Sequence, residues 1–178
     1  MSPQTELHVR ALDEADLEAY KALRDHVLAH HDEAFTSDAA TEAQRSAQSY
    51  RARMGGEVHC YSAGDFTLGA WRGDRLVGAI SCERDPRTKV QHIGHIIGTM
   101  VMKDQQAQGV GRALLDALIA RASTDDELHQ LTLSVTASNR AAVRLYESAG
   151  FSRYGTLPRA IRVAGRFLDK DLMLLNLR

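Results

Sequence analysis

Gln106-Ala107-Gln108-Gly109-Val110-Gly111-Arg112 stands between a strand-like run, 93–102, and a helical run, 109–122. The first turn of a helix exposes backbone N–H groups without partners. The helix dipole adds partial positive charge there. Glycines remove the Cβ atoms that would hold an anion away, so the stretch has the makings of a pyrophosphate site. Arg112 and Lys103 add charge at its rim. The third glycine of a dinucleotide fingerprint is missing, and no Gly-Lys-Ser/Thr closes a Walker A loop. The plainer reading is a helix N-terminus with small residues for packing.

Outward from this loop the pattern alternates between helix and strand. A short strand is expected near 7–12. Asp13 then caps a helix, with Asp16 three residues on, and Leu17, Tyr20, Leu23, Val27 and Leu28 recur at helical spacing to about residue 29. A second, polar and Ala-rich helix is expected over 41–54. Runs 66–71 and 76–82 flank Arg72-Gly73-Asp74-Arg75, which reads as a hairpin. Gly94 and Gly98 interrupt the strand at 93–102, as glycine does at a bulge or a close backbone approach. A strand at 131–136 follows the loop's helix. Ser138 is placed to cap a helix over 139–149, which Gly150 ends in the left-handed position. Runs at 151–155, 161–163 and 172–177 complete the sheet. Strands, helices and a hairpin in this order predict an α/β fold with a mixed sheet. Three prolines and the lack of a repeat or low-complexity linker argue for a single domain over 1–178.

The helix after the last inner strand carries the second chemical element. Asn139 and Tyr146 are two helical turns apart and share a face, with Ala142 and Val143 between them. The small Ala142 lets a ligand lie close. A phenol can give a proton to a departing thiolate, since both titrate above neutral pH. Taken alone, Tyr146 reads as a core aromatic with a satisfied hydroxyl.

Bulk properties narrow the class. A 178-residue chain suits one domain with a substantial core, and a net charge of −1 argues against a protein built to grip nucleic acid. Residues 1–50 carry ten acidic against four basic residues, a net of −6, while 151–178 carry +4. The N-terminal carboxylates read first as solvating helix faces; a preference for a cationic substrate is the alternative. Cys60 and Cys82 make no disulfide framework, and no Cys/His cluster suggests zinc, so no metal is expected. His30-His31-Asp32-Glu33 has ligand residue types, but neighbours on a helix end point apart, so it reads as a solvated terminus. Phe66 and Trp71 read as core. Residues 1–10 are polar, and no run reaches the roughly 20 apolar residues a membrane span needs. The expectation is a cytoplasmic protein with neither a nucleic-acid nor a membrane partner.

Together these residues resemble the GNAT superfamily of N-acetyltransferases. Gln106-x-x-Gly109-x-Gly111 matches its Q/R-x-x-G-x-G/A motif. The likeness runs back through Thr99-Met100-Val101-Met102 and forward through Leu133-x-Val135, Asn139, Ala142, Leu145-Tyr146-Glu147 and Gly150-Phe151. It covers about 98–155. The resemblance implies a GNAT-like α/β domain: a mixed, mostly antiparallel sheet flanked by helices, with strands splayed at the cofactor site. It assigns acceptor-side helices to about 13–54 and a cofactor-binding core to about 93–155. It also implies acetyl-CoA as cosubstrate, an amine acceptor, and room for a homodimer. Thr99, Met100 and Val101 stand where the pantetheine arm adds like an extra strand. Gln106, Ala107, Gln108, Gly109, Val110, Gly111 and Arg112 stand at the pyrophosphate. Asn139 and Ala142 stand against the cofactor, and Tyr146 stands where the family often has the acid that protonates coenzyme A.

The implied reaction is transfer of acetyl to a primary amine of a small molecule or peptide by direct attack in a ternary complex. A domain that binds acyl-CoA without turnover is the alternative. Some relatives carry a glutamate base five residues before the asparagine; here that position is Ser134. Glu83 and His95 are other candidates, each first read as an ordinary polar residue, and the base is left unassigned.

Overall fold

The computed structural model describes residues 6–54 and 65–178; the reading of Cys60 lies outside them. In chain order the elements are β1 (Leu7–Ala11), α1 (Leu17–His30), α2 (Ala39–Ala43), β2 (Phe66–Arg72), β3 (Arg75–Arg84), β4 (Ile93–Val101), α3 (Val110–Ser123), β5 (Gln130–Thr136), α4 (Arg140–Ser148), β6 (Ser152–Val163) and β7 (Arg166–Asn176). The strands form one open sheet in the order β1-β2-β3-β4-β5-β7-β6. Every neighbouring pair is antiparallel except β4 and β5, which run parallel.

Strand alternation divides the core between the two faces. Leu131, Leu133 and Val135 of β5 and Met173 of β7 join Leu114, Leu118, Val143 and Tyr146 from α3 and α4. On the other side Leu76, Ala79 and Met100 pack against Leu17, Tyr20, Leu23 and Val27 of α1. Each such leucine contributes about 1.5–3 kcal/mol by leaving water. Phe66 is buried as expected, whereas Trp71 is only half-buried and carries the Arg10 guanidinium 4.5 Å above its ring.

The start of α1 follows the sequence. Asp13 accepts from the Ala15 amide, Asp16 reaches back to the Asp13 amide, and a 3₁₀ turn at Glu14–Asp16 leads into the helix. The helix expected over 41–54 is instead broken into α2 and a 3₁₀ stretch, Ala47–Arg53. A buried polar knot explains the break. Glu42 accepts from Arg24 Nε at 2.7 Å and from the Tyr50 hydroxyl at 2.6 Å. On a continuous helix residues 42 and 50 would be separated by about 12 Å of rise, so Tyr50 reaches Glu42 only because the chain folds back. Burial works against the Glu42 charge, but Tyr50 and Arg24 hold its carboxyl down at about 2.

The last two strands are longer than the sequence runs suggest. β6 is continuous past Pro158, where the β6–β7 register shifts between Leu157 and Ile161. Proline cannot donate to a ladder, but β6 is the sheet's edge and tolerates it. Among the described residues no helix is long and apolar enough to cross a membrane.

Candidate active site

The parallel pair β4–β5 is joined only at Ile93–Gln130, Gly94–Leu131 and His95–Thr132. Beyond His95 the strands diverge, so backbone groups on one edge of 96–101 face a gap. The other edge of β4 bends there too. Met100 pairs with Ala79 and Ile97 with Ser81, leaving Gly98 and Thr99 opposite Ile80 alone. This is a bulge, and Gly98 takes it at φ +58. A cavity of about 670 Å³ opens at the gap, between α1 on one side of the sheet and α3 and α4 on the other.

The loop after β4 closes one end of this cavity. Ala107 and Gly109 both adopt left-handed conformations, at φ +58 and +81. An added Cβ on Gly109 would meet nothing within 4 Å, so what demands glycine there is the backbone angle rather than crowding. No side chain caps α3. Its first-turn amides are therefore left for an anion, which the helix dipole favours. Gly111 is a packing glycine: a Cβ there would stand 3.3 Å from Leu145 Cδ2 of α4.

Most of the expected residues meet here. Thr99, Val101, Gln106, Ala107, Gly109, Val110, Gly111, Arg112, Asn139, Ala142 and Tyr146 all line the cavity. Two do not. The Met100 side chain is buried under α1, because strand alternation sends it to the other core. Gln108 turns back, its amide donating to the Asp104 carbonyl at 2.8 Å. Arg112 lines the rim but is engaged by Asp116, with Nε 2.8 Å from both carboxylate oxygens.

Tyr146 sits within the cavity wall, buried, with its ring edge-on to Phe151 at 5.9 Å. Its hydroxyl donates to Thr99 Oγ1 at 3.1 Å, which ties α4 to the bulge of β4. Burial pushes the phenol up, and the Thr99 contact opposes this only in part, so the group holds its proton at neutral pH. Asn139, not Ser138, caps α4: its Oδ1 accepts from the Ala142 amide at 3.1 Å. A turn closed by Asn139 N–H to the Thr136 carbonyl at 2.8 Å delays the helix by one residue. Asn139 and Tyr146 therefore share the cavity as cap and helix residue rather than as two positions on one helical face.

The base candidates separate. Ser134 is exposed and lines the cavity. Glu83 lies 3.5 Å from Arg53, and His95 Nδ1 lies 2.7 Å from Thr132 Oγ1; neither lines the cavity.

Other wall residues carry no sequence signal. His31 is no solvated terminus: it is half-buried, with Nε2 3.1 Å from the Gln106 side-chain amide. Burial lowers its pKa, assisted by His30 and Lys103. Phe35, Thr36 and Lys170 complete that side. Five of the N-terminal carboxylates, Glu14, Asp16, Asp25, Glu33 and Glu42, are engaged in ion pairs, among them Asp16 with Arg10 at 2.6 Å and Glu14 with Arg51 at 2.6 Å. Among the described residues, no Asp or Glu lines the cavity.

A family model described as Acetyltransferase (GNAT) family matches residues 20–151, well over half of the chain. An L-methionine sulfoximine/L-methionine sulfone acetyltransferase from Pseudomonas aeruginosa is 38% identical over 77 residues, covering 43% of this chain and 44% of that protein. The matched stretches cover 44%, 28% and 52% of the length of three curated relatives. In structure, a GNAT-family acetyltransferase from Streptococcus pneumoniae superposes with a TM-score of 0.86 at 25% identity, covering 96% of this chain and 99% of that one. A Salmonella typhimurium acetyltransferase solved with acetyl-CoA shares the fold, with a TM-score of 0.77 at 22% identity over 97% of this chain and 95% of that one.

Proposed function

We propose, from the fact that the chain belongs to the GNAT acetyltransferase family, that it moves the acetyl group of acetyl-CoA to a primary amine by direct attack in a ternary complex. One observation carries the reading: the β4–β5 gap, the uncapped start of α3 and the Tyr146 hydroxyl all open onto one cavity.

The residues divide the work. Amides of the Ala107–Arg112 loop hold the pyrophosphate, where glycine and the helix dipole admit it. The open edge of Thr99–Val101 pairs with the pantetheine amides as an added strand. Met100 serves there through its backbone alone. Asn139 and Ala142 shape the wall beside the arm. The acceptor amine attacks as the neutral form, since an ammonium has no lone pair. Strand N–H groups at the bulge stabilise the oxyanion as the carbonyl becomes tetrahedral. Tyr146 then gives its proton to the sulfur as the C–S bond breaks. The surplus proton of the acceptor leaves through Ser134 and solvent.

The test is thiol release from acetyl-CoA with a panel of primary amines, run beside a binding titration with coenzyme A. Release that depends on the amine supports the proposal. Tight coenzyme A binding with no release for any amine would overturn it in favour of a non-catalytic acyl-CoA sensor.

A further inference from the structure

The cavity is asymmetric in charge across the sheet. Odd-numbered residues of β5 and β7, such as Leu133, Val135 and Met173, face α3 and α4. Even-numbered ones therefore face the other way. Thr136 and Lys170 are paired across β5 and β7, as are Ser134 and Leu172. The contacts agree: Thr136 Oγ1 donates to the Glu33 carbonyl at 2.7 Å, and Lys170 Nζ donates to Thr36 Oγ1 at 3.0 Å. Lys170 thus lies on the α1 side, away from the phosphate loop that begins α3.

Lys170 is half-buried and lines the cavity. An ammonium has three N–H donors, and the contact to Thr36 uses one. Its neighbours in sequence cannot serve as counter-ions from the opposite face. Asp169 accepts from the Arg159 amide at 2.8 Å, and Asp171 accepts from Thr156 Oγ1 at 2.8 Å. No carboxylate lines the cavity among the described residues, and the other strong cation on its wall, Arg112, already has Asp116. A desolvated ammonium without a counter-ion is unfavourable, and burial does push the Lys170 pKa down. An incoming anion relieves that cost.

We infer that Lys170, with Thr36 beside it, binds a carboxylate of the acceptor, so that the preferred substrate is a small amino acid-like amine rather than a polycation. The inference rests on the acetyl-transfer reading and specifies its acceptor. Ser134 and Thr136 are two positions apart on β5, so the cation stands about 7 Å along the strand from the candidate proton exit, a distance one small molecule bridges. Phe35 and Ile97 offer apolar wall for its side chain.

The experiment compares matched acceptors: leucine against 3-methylbutylamine, and phenylalanine against 2-phenylethylamine. Thiol release is followed for wild type, Lys170→Met and Lys170→Arg. Because each pair is compared across variants, differences in amine basicity cancel. Lys170→Met is expected to raise KM for the carboxylate members about tenfold to a hundredfold more than for the decarboxylated ones. KM for acetyl-CoA stays within about twofold, and Lys170→Arg restores most of the preference. Equal losses for both members of each pair would overturn the anion site. So would turnover of the plain amines with none of the amino acids, while leaving acetyl transfer standing. No thiol release from any acceptor, with coenzyme A binding intact, would overturn acetyl transfer and the anion site with it.

Discussion

The α3/α4 side of the cleft is built from one stretch of chain, and the α1 side is assembled from several distant ones. On the first side the working parts are backbone amides, three left-handed residues and a short helix, all within 98–148. Their geometry follows from local rules: glycine at two of the three positive-φ positions, uncapped amides where a helix begins, a phenol two turns after its cap. On the second side His31, Thr36, Ser134 and Lys170 meet only because β5 pairs with β7 and the segment after α1 crosses to both strands. In the proposed reaction the first side holds the constant ligand through its backbone, while the second recognises the acceptor through side chains.

This comparison can be strained from either side. The largest effect falls on the α1 side, through its scaffold. Glu42→Gln leaves the Arg24 guanidinium buried without its partner, which costs about 3–5 kcal/mol; denaturant unfolding monitored by circular dichroism measures it. The same carboxylate sets an acid limit. Its folded pKa of about 2 lies below its ordinary 4.5. Its contribution is therefore complete above pH 4.5 and is lost as pH falls from 4.5 towards 2. Acid unfolding of wild type is expected to be steeper in that window than that of Glu42→Gln.

Next comes the loop. Gly109→Val forces a β-branched residue into φ +81, at about 1–2 kcal/mol of strain in the loop proposed to hold the pyrophosphate. KM for acetyl-CoA is expected to rise about tenfold, with the acceptor KM unchanged; a shift in the acceptor KM alone would mean the two sides are not separable. The smallest effect is that of Asn139→Ala, which removes the α4 cap. It costs about 1 kcal/mol in stability, and Asn139→Asp recovers most of it in thermal unfolding.

The same contrast explains what the sequence disclosed. The helix that starts after Gly109, the hairpin around Gly73-Asp74 and the capping box at Asp13 are local and were legible. The break at 44–46 was not, because Ala-rich periodicity favours a helix while the Glu42–Tyr50–Arg24 knot is a tertiary demand. Ser138 was a reasonable cap by residue type, but a turn from Thr136 moved the role to Asn139. Met100 and Gln108 matched positions in a motif whose backbone points to the cleft while their side chains do not. Lys170 could have been suspected only from strand parity, as a lone cation between Asp169 and Asp171. That parity becomes readable once β7 is known to run unbroken from Arg166 to Asn176.

Tyr146 stands at the gap between the two sides, where its hydroxyl reaches Thr99. The most direct measurement is therefore the pH dependence of thiol release by Tyr146→Phe at saturating acetyl-CoA and amine. The account predicts that kcat falls about a hundredfold or more, while KM for acetyl-CoA is preserved. Full turnover by Tyr146→Phe at every pH would contradict it.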